Sequence, residues 1–199
     1  MDFSTLSGSG NKRPSLNLSK GATLDLTKEA PNLHRAILGG GWDVAVAGVN
    51  ADLDISAMLL DRNKKIRTIN DVIYYRNMSA NGIRLEGDNR TGEGEGDDER
   101  IDIDLDKIDA DIHHIVFFMS IFEADKNRQT FGMIRNAFVR LLDADNNEKE
   151  LCHYNLTGDY QTSTIIKVCA LHRTNNGWTF EAKGEGAIGD LNTALSPYA

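Results

Sequence analysis

The sequence predicts an all-β fold, a β-sandwich of about nine to eleven short strands closed by a short C-terminal helix. Three observations predict it. From Pro14 onward, short apolar runs are separated by turn residues at regular intervals. Residues Ile101–Leu105 (IDIDL) alternate strictly between an apolar and an acidic face, the period of a half-buried strand. With 199 residues and 40% hydrophobic content, the chain can bury a substantial core, about 70% of its unfolded surface.

Residues 1–13, rich in Ser, Gly, Asn and Lys, have little to bury and are expected to form a flexible tail. One domain is expected over residues 14–199. Ser15–Ser19 and Thr23–Thr27 alternate around Lys20-Gly21-Ala22, the pattern of a hairpin. Trp42–Val46 (WDVAV) alternates; Leu53–Leu60 (LDISAMLL) alternates and then becomes continuously apolar. Val72–Tyr75 is short and aromatic, and Ile115–Phe122 is a continuous run of buried-strand type. Phe131–Leu142 fits a helical and a strand period, but β-branched and aromatic content and the following turn Asp143–Asn147 favour a strand. Strands are also expected at Leu151–Tyr154, Thr164–Leu171 and Trp178–Lys183, then a short helix over Asp190–Leu195 capped by Asp190.

Composition excludes several classes. The longest apolar stretch, Ile115–Ile121, is too short to span a bilayer, and the N-terminus MDFSTLSGSGNKRPS has no apolar core of a secretory signal. A cytoplasmic location is expected. Cys152 and Cys169 lie in apolar strand-like segments and read as reduced core thiols. Nucleic acid is not an expected partner, because the dominant field would repel phosphate. No exposed apolar or basic patch is legible, so direct membrane insertion is not expected.

The charge is concentrated. Residues 86–106 (EGDNRTGEGEGDDERIDIDLD) hold ten acidic and two basic residues, a net −8 that equals the net charge of the whole chain (30 acidic, 22 basic). Two carboxylates about 4 Å apart repel by roughly 4 kcal/mol at an effective dielectric of 20. A fold that gathers them needs a cation, raised pKa values or intervening solvent. The interleaved Gly87, Gly92, Gly94 and Gly96 let backbone carbonyls turn inward, and such oxygen ligands suit Ca²⁺. The plain alternative is a solvated acidic loop. A second acidic element, Asp52-Leu53-Asp54, places both carboxylates on one face of a strand, where they can close a site with the Gly87–Glu99 loop. Asp88–Glu99 is not an EF-hand: its sixth position is Glu93, where that loop requires glycine, and helical flanks are missing.

Other motifs carry little. Gly184–Gly189 matches G-x-G-x-x-G, but too few residues follow for a dinucleotide fold. His113 and His114 face opposite ways on a strand, and His34, His153 and His172 are isolated in sequence, so no zinc site is expected. No Ser-His-Asp or Cys-His arrangement follows from spacing.

At these residues the chain resembles the TerD family of tellurium-resistance and stress proteins. The matching stretches are Leu18–Leu26 (LSKGATLDL), Gly41-Trp42-Asp43, Asp52–Ala57 (DLDISA), Gly87–Glu99 (GDNRTGEGEGDDE), Gln129–Gly132, Asn136–Arg140 and Trp178–Phe180. The resemblance covers about residues 15–198 and implies a two-sheet β-sandwich with calcium-binding loops at one end. It implies metal ligands at Asp52, Asp54, Asp88, Asn89, Asp97, Asp98 and Glu99. It also implies a calcium-binding, cytoplasmic stress protein associated with tellurite resistance, acting with other Ter-family proteins, some of them at the membrane; no enzymatic activity is expected. Two positions depart from the family pattern. Gly39-Gly40-Gly41-Trp42-Asp43 stands where the family carries GLGWD, and Ile55 follows DLD where the family carries a small residue.

Three functions compete at this stage: a Ca²⁺-dependent interaction module, a metal-dependent phosphoesterase, and a scaffold in which calcium only stabilises the fold. A phosphoesterase would need a base and a phosphate clamp beside the metal. The loop offers only Arg90 and Arg100, and both can simply pair with acids of the same segment.

Overall fold

Alternating apolar side chains zip the strands into two sheets that bury their apolar faces against each other. In the computed structural model, residues 15–45, 51–86, 96–156, 158 and 160–199 are described. Residues 1–13, the expected tail, and Asp88 and Asn89 lie outside the described residues.

Among the described residues the strands are β1 (Leu16–Asn17), β2 (Thr23–Asp25), β3 (Arg35–Val44), β4 (Leu53–Leu60), β5 (Val72–Ile73), β6 (Ser79–Ala80) and β7 (Ile83–Glu86). They continue with β8 (Glu99–Asp104), β9 (His114–Ile121), β10 (Ile134–Asp143), β11 (Lys149–Asn155), β12 (Ile165–Thr174) and β13 (Gly177–Ala187). Among the described residues three short α-helices, α1 (Leu26–Glu29), α2 (Ala124–Asn127) and α3 (Leu191–Leu195), fill connections and the C-terminus. One sheet runs β1-β11-β10-β3-β8-β7-β6, the other β2-β13-β12-β9-β4-β5. The β-sandwich expectation holds, with Asp190 capping α3 through its bond from the Thr193 amide.

The main core lies between the sheets: Leu38, Ile101, Ile103, Val139 and Leu141 meet Leu53, Ile55, Leu59, Phe117 and Phe180. A second cluster explains why β4 and β9 become continuously apolar. On the outer face of their sheet, Met58, Leu60, Val116 and Phe118 pack beneath Leu191, Leu195 and Tyr198. Strands buried on both faces lose alternation.

Three expectations are corrected. Residues 15–27 do not form a hairpin: β1 runs parallel to β11, whereas β2 joins β13 in the other sheet. The chain crosses between sheets at Lys20-Gly21, where Gly21 adopts a positive φ and donates to the Ala182 carbonyl. The strand expected at Trp42 begins at Arg35 and passes through three glycines. Phe131–Met133 forms a 3₁₀ turn before β10, because Phe131 must bury while its amide donates to the Ser163 carbonyl.

Candidate metal-binding end of the sandwich

The glycine run in β3 makes room for the acidic segment. A β-carbon on Gly39 would lie 2.2 Å from Asp97 Cγ, and one on Gly41 would lie 2.8 Å from the Gly96 carbonyl oxygen. Without side chains on this face of β3, residues 96–99 lie flat against the strand. The Asp98 amide donates to the Gly40 carbonyl at 2.8 Å, and Asp98 Oδ2 accepts from the Trp42 amide at 2.9 Å. Glu99 then pairs with Gly40 as β8 begins.

Glu99 ties the two acidic elements together. It is 2% exposed, belongs to one sheet, and accepts from the Ile55 amide of the other through Oε2 at 2.5 Å. The DLD strand and the acidic segment, 44 residues apart in sequence, are thereby held to one another. Asp52 enters the same end: its carbonyl accepts from the Phe122 amide at 2.8 Å, beside the Leu53–Ile121 pair. Asp54 sits opposite Ser120, one step further along β4.

Asp97 has a different environment. Its side chain is 2% exposed, and Arg140 Nε donates to Oδ1 at 2.7 Å. Arg140 also reaches Glu150 at 3.3 Å. Arg100 lies 4.0 Å from Asp97 Oδ2 and pairs with Glu148 at 2.7 Å. The two arginines thus neutralise the carboxylate from both sides.

Asp98 feels repulsion instead. Burial raises its pKa above the ordinary carboxylate value, and the neighbouring Asp43 and Asp97 charges push the same way, against the lowering effect of the Trp42 amide. Asp43 is a member of this end that the sequence reading did not assign. Its partner Asn136 stands at a bulge in β10 with φ 51°, and Asn136 Nδ2 donates to Asp43 Oδ2 at 2.7 Å. A bulge re-aims a side chain in this manner, and Asn tolerates the left-handed backbone. The Trp42-Asp43 dipeptide was the signal that could have found it.

The strands β7 and β8 flank the acidic loop, so the rejection of an EF-hand stands. Where β7 meets β8, Glu86 has a raised pKa, chiefly because it shares a hydrogen bond with Asp102; Arg84 bonds both carboxylates. Among the described residues, no three His, Cys, Asp or Glu side chains converge on one point to hold a metal. The donors gathered here are all hard oxygens, the chemistry that suits Ca²⁺ over softer ions.

The exposed Tyr75 and Phe122 rings meet edge-to-face with centroids 5.7 Å apart, and the Phe122 backbone amide bonds the Asp52 carbonyl. Sequence reading saw no exposed apolar group here, because the pair joins residues 47 positions apart. Both cysteines are free and buried, as expected; burial pushes the Cys152 thiol up to about 12 and the Cys169 thiol well above its ordinary value. His34, read as isolated, lies 2.9 Å from Asp106. His172, also read as isolated, lies beside His114. No helix among the described residues is long and apolar enough to cross a membrane.

Comparisons with known proteins agree with this architecture. The TerD domain model matches residues 15–198. The chain is 40% identical over 187 residues to the tellurium resistance protein TerD of Serratia marcescens, covering 92% of this chain and 97% of that protein. It is 40% identical over 187 residues to general stress protein 16U of Bacillus subtilis, covering 92% and 96%. A crystal structure of a TerD homologue from Streptomyces coelicolor superposes with a TM-score of 0.68 at 21% identity, over 82% of this chain and 96% of that one, which shows the shared fold. The chain therefore belongs to the TerD family of tellurium-resistance and stress-response proteins.

Proposed function

We propose that this protein is a cytoplasmic, non-enzymatic Ca²⁺-binding module whose association with other Ter-family proteins is controlled by the metal. The carrying observation is Asp98, held by the Trp42 amide while burial, Asp43 and Asp97 disfavour its charge. A carboxylate placed among like charges gains most from a cation.

Within the set Asp52, Asp54, Asp88, Asn89, Asp97, Asp98 and Glu99, the described residues divide by role. Asp98, Asp52 and Asp54 stand where the two acidic elements meet. Asp97 and Glu99 are largely engaged as framework, the first by Arg140 and the second by the Ile55 amide. Bound calcium would supply charge neutralisation between the two acidic elements. The exposed Tyr75–Phe122 pair, tied to Asp52 through the Phe122 amide, supports a partner-facing surface at the same end.

The test is isothermal titration of chelator-treated protein with Ca²⁺ and Mg²⁺. Calcium should bind and magnesium should compete poorly, because Mg²⁺ demands a rigid octahedron that glycine-rich loops do not impose. Asp98→Ala should abolish or strongly weaken the calcium isotherm. Equal affinities for the two ions, or an unchanged Asp98→Ala isotherm, would overturn the reading.

A further inference from the structure

We propose that His114 and His172 form a second metal site, for a divalent transition ion of which Cu²⁺ fits best, with Glu181 positioning one of the two ligands. The two histidines are register partners on the neighbouring strands β9 and β12. Their Nδ1 atoms face each other at 2.8 Å, with ring centroids 5.1 Å apart. His172 Nε2 lies 2.8 Å from Glu181 Oε2, and Lys183 holds the other Glu181 oxygen at 2.7 Å.

Proton placement follows from these contacts. The Glu181 carboxylate can only accept, so His172 donates through Nε2–H. With both rings neutral, His172 presents its Nδ1 lone pair toward His114, and without metal His114 donates its Nδ1 proton into that lone pair. With metal, that proton moves to Nε2 of the same ring through solvent, and a rotation of each ring off the N–N line aims both Nδ1 lone pairs at the ion, with no net proton released. A carboxylate that fixes the tautomer of a metal-bound histidine is a recurrent outer partner, and its removal costs about 10–100-fold in affinity.

Separation selects the ion. Two nitrogens about 2.0–2.1 Å from a metal and 2.8 Å apart subtend roughly 85°. That is the cis angle of a square-planar or tetragonal centre, and Cu²⁺ also heads the affinity order among first-row divalent ions. Tetrahedral zinc would need the nitrogens about 3.3 Å apart. Water completes the coordination: the His172 side chain is 26% exposed and that of Glu181 23%. This position is remote from the acidic end, since Asp52 bonds Phe122, just past the opposite end of β9, and β9 runs about 23 Å from His114 to Ile121.

The experiment titrates chelator-treated full-length protein with Cu²⁺, followed by electron paramagnetic resonance, for wild type, His114→Ala, His172→Ala and Glu181→Gln. One nitrogen-coordinated copper is expected in wild type, lost in both histidine variants and weakened about 10–100-fold in Glu181→Gln. A hundredfold excess of Ca²⁺ should not displace it. Equal copper binding in wild type and both histidine variants would overturn the site, as would displacement by Ca²⁺. Should a histidine variant fail to fold, sub-stoichiometric Cu²⁺ on the wild type decides: selective broadening of the His114 and His172 ring resonances supports the site, and its absence overturns it.

Discussion

Gly40 and Ile55 face each other across the two sheets: a β-carbon on Gly40 would stand 2.3 Å from Ile55 Cδ1. The missing side chain at one position accommodates the branched side chain at the other. Ile55 is fully buried and occupies the space that a side chain at position 40 would need. Gly40→Leu alone should destabilise by about 1–3 kcal/mol through overpacking. Ile55→Ala alone should cost about 2–5 kcal/mol through the cavity it leaves. The double variant should be more stable than the sum of the two, by a coupling of about 0.5–3 kcal/mol in denaturant unfolding. Strict additivity would mean that the two sites do not share volume.

Asp97 and Asp98 are adjacent, yet their substitutions should differ in kind. Asp97 is a buried ion-pair partner of Arg140, and removing one member of such a pair costs about 3–5 kcal/mol. Asp97→Ala should therefore lower the melting temperature with or without calcium. Asp98 is the reverse case. Its folded pKa is raised above the unfolded value, so the folded state binds more protons and stability falls as pH rises through that range. Asp98→Asn should leave the calcium-free protein as stable as wild type or more so at pH 7. Differential scanning calorimetry of both variants in chelator checks this; a large loss in Asp98→Asn would contradict it.

Calcium should stabilise the wild type. At one hundred times its dissociation constant a ligand contributes about 2.7 kcal/mol, on the order of 5–11 °C for a domain of this size. The thermal shift should vanish in Asp98→Asn. A full shift in that variant would place the ion elsewhere.

His114 supplies an acid-side signature. Its pKa falls from the usual 6.5 to about 4, chiefly through burial and then through His172, Lys64 and His113, with Asp61 opposing. Between those two values the unfolded chain binds the extra proton, so stability is full above about 6.5 and is lost as pH falls toward 4. Solvent around the half-buried ring limits the effect to about 1–2 kcal/mol. In urea unfolding measured from pH 7 to 4.5, His114→Asn should show a flatter profile than wild type. Parallel profiles would exclude this ring as the source.

The strands with a clean apolar period were legible because alternation is local. Leu53–Leu60 and the core of β8 could be read from neighbouring residues alone. β3 was mostly hidden, since glycine weakens a strand signal, and the reason for Gly39 lies in Asp97, 58 positions away. The crossover that separates β1 from β2 depends on pairing with β11 and β13, which no local pattern encodes. The acidic end was legible in its carboxylates, because their density is a property of the sequence. Its supporting groups, Arg140 on Asp97 and Asn136 on Asp43, arrive from 43 and 93 positions away and were not.

The cysteines should be chemically silent. With the Cys152 thiol pushed up to about 12 and Cys169 fully buried, the thiolate fraction at neutral pH is very small. Native protein should react with iodoacetamide on the order of 10³-fold more slowly than protein unfolded in urea, where thiols return to about 8.5. Tellurite survival of cells carrying Cys152→Ala and Cys169→Ala at matched expression should equal wild type. Rapid native alkylation, or lost protection in a folded double variant, would restore a thiol role.

On the proposed function, the aromatic pair at the acidic end would connect metal to partner. Without calcium, Asp43, Asp52 and Asp98 would repel an acidic surface. Filling the site would remove much of that potential, and Tyr75 and Phe122 would then offer apolar area at the same edge. Aromatic side chains of this kind carry much of the binding energy at protein interfaces. Phe122 is exposed, so Phe122→Ala should change stability by no more than about 0.5 kcal/mol. The measurement is a pull-down from a bacterial lysate that contains Ter proteins, with calcium and with chelator, using wild type and Phe122→Ala. Wild type should retain Ter-family partners in calcium only. Phe122→Ala should lose them while keeping its calcium isotherm. Identical partner sets with calcium and with chelator would mean that the metal acts only on the fold, and unchanged capture by Phe122→Ala would place the partner surface elsewhere on the sandwich.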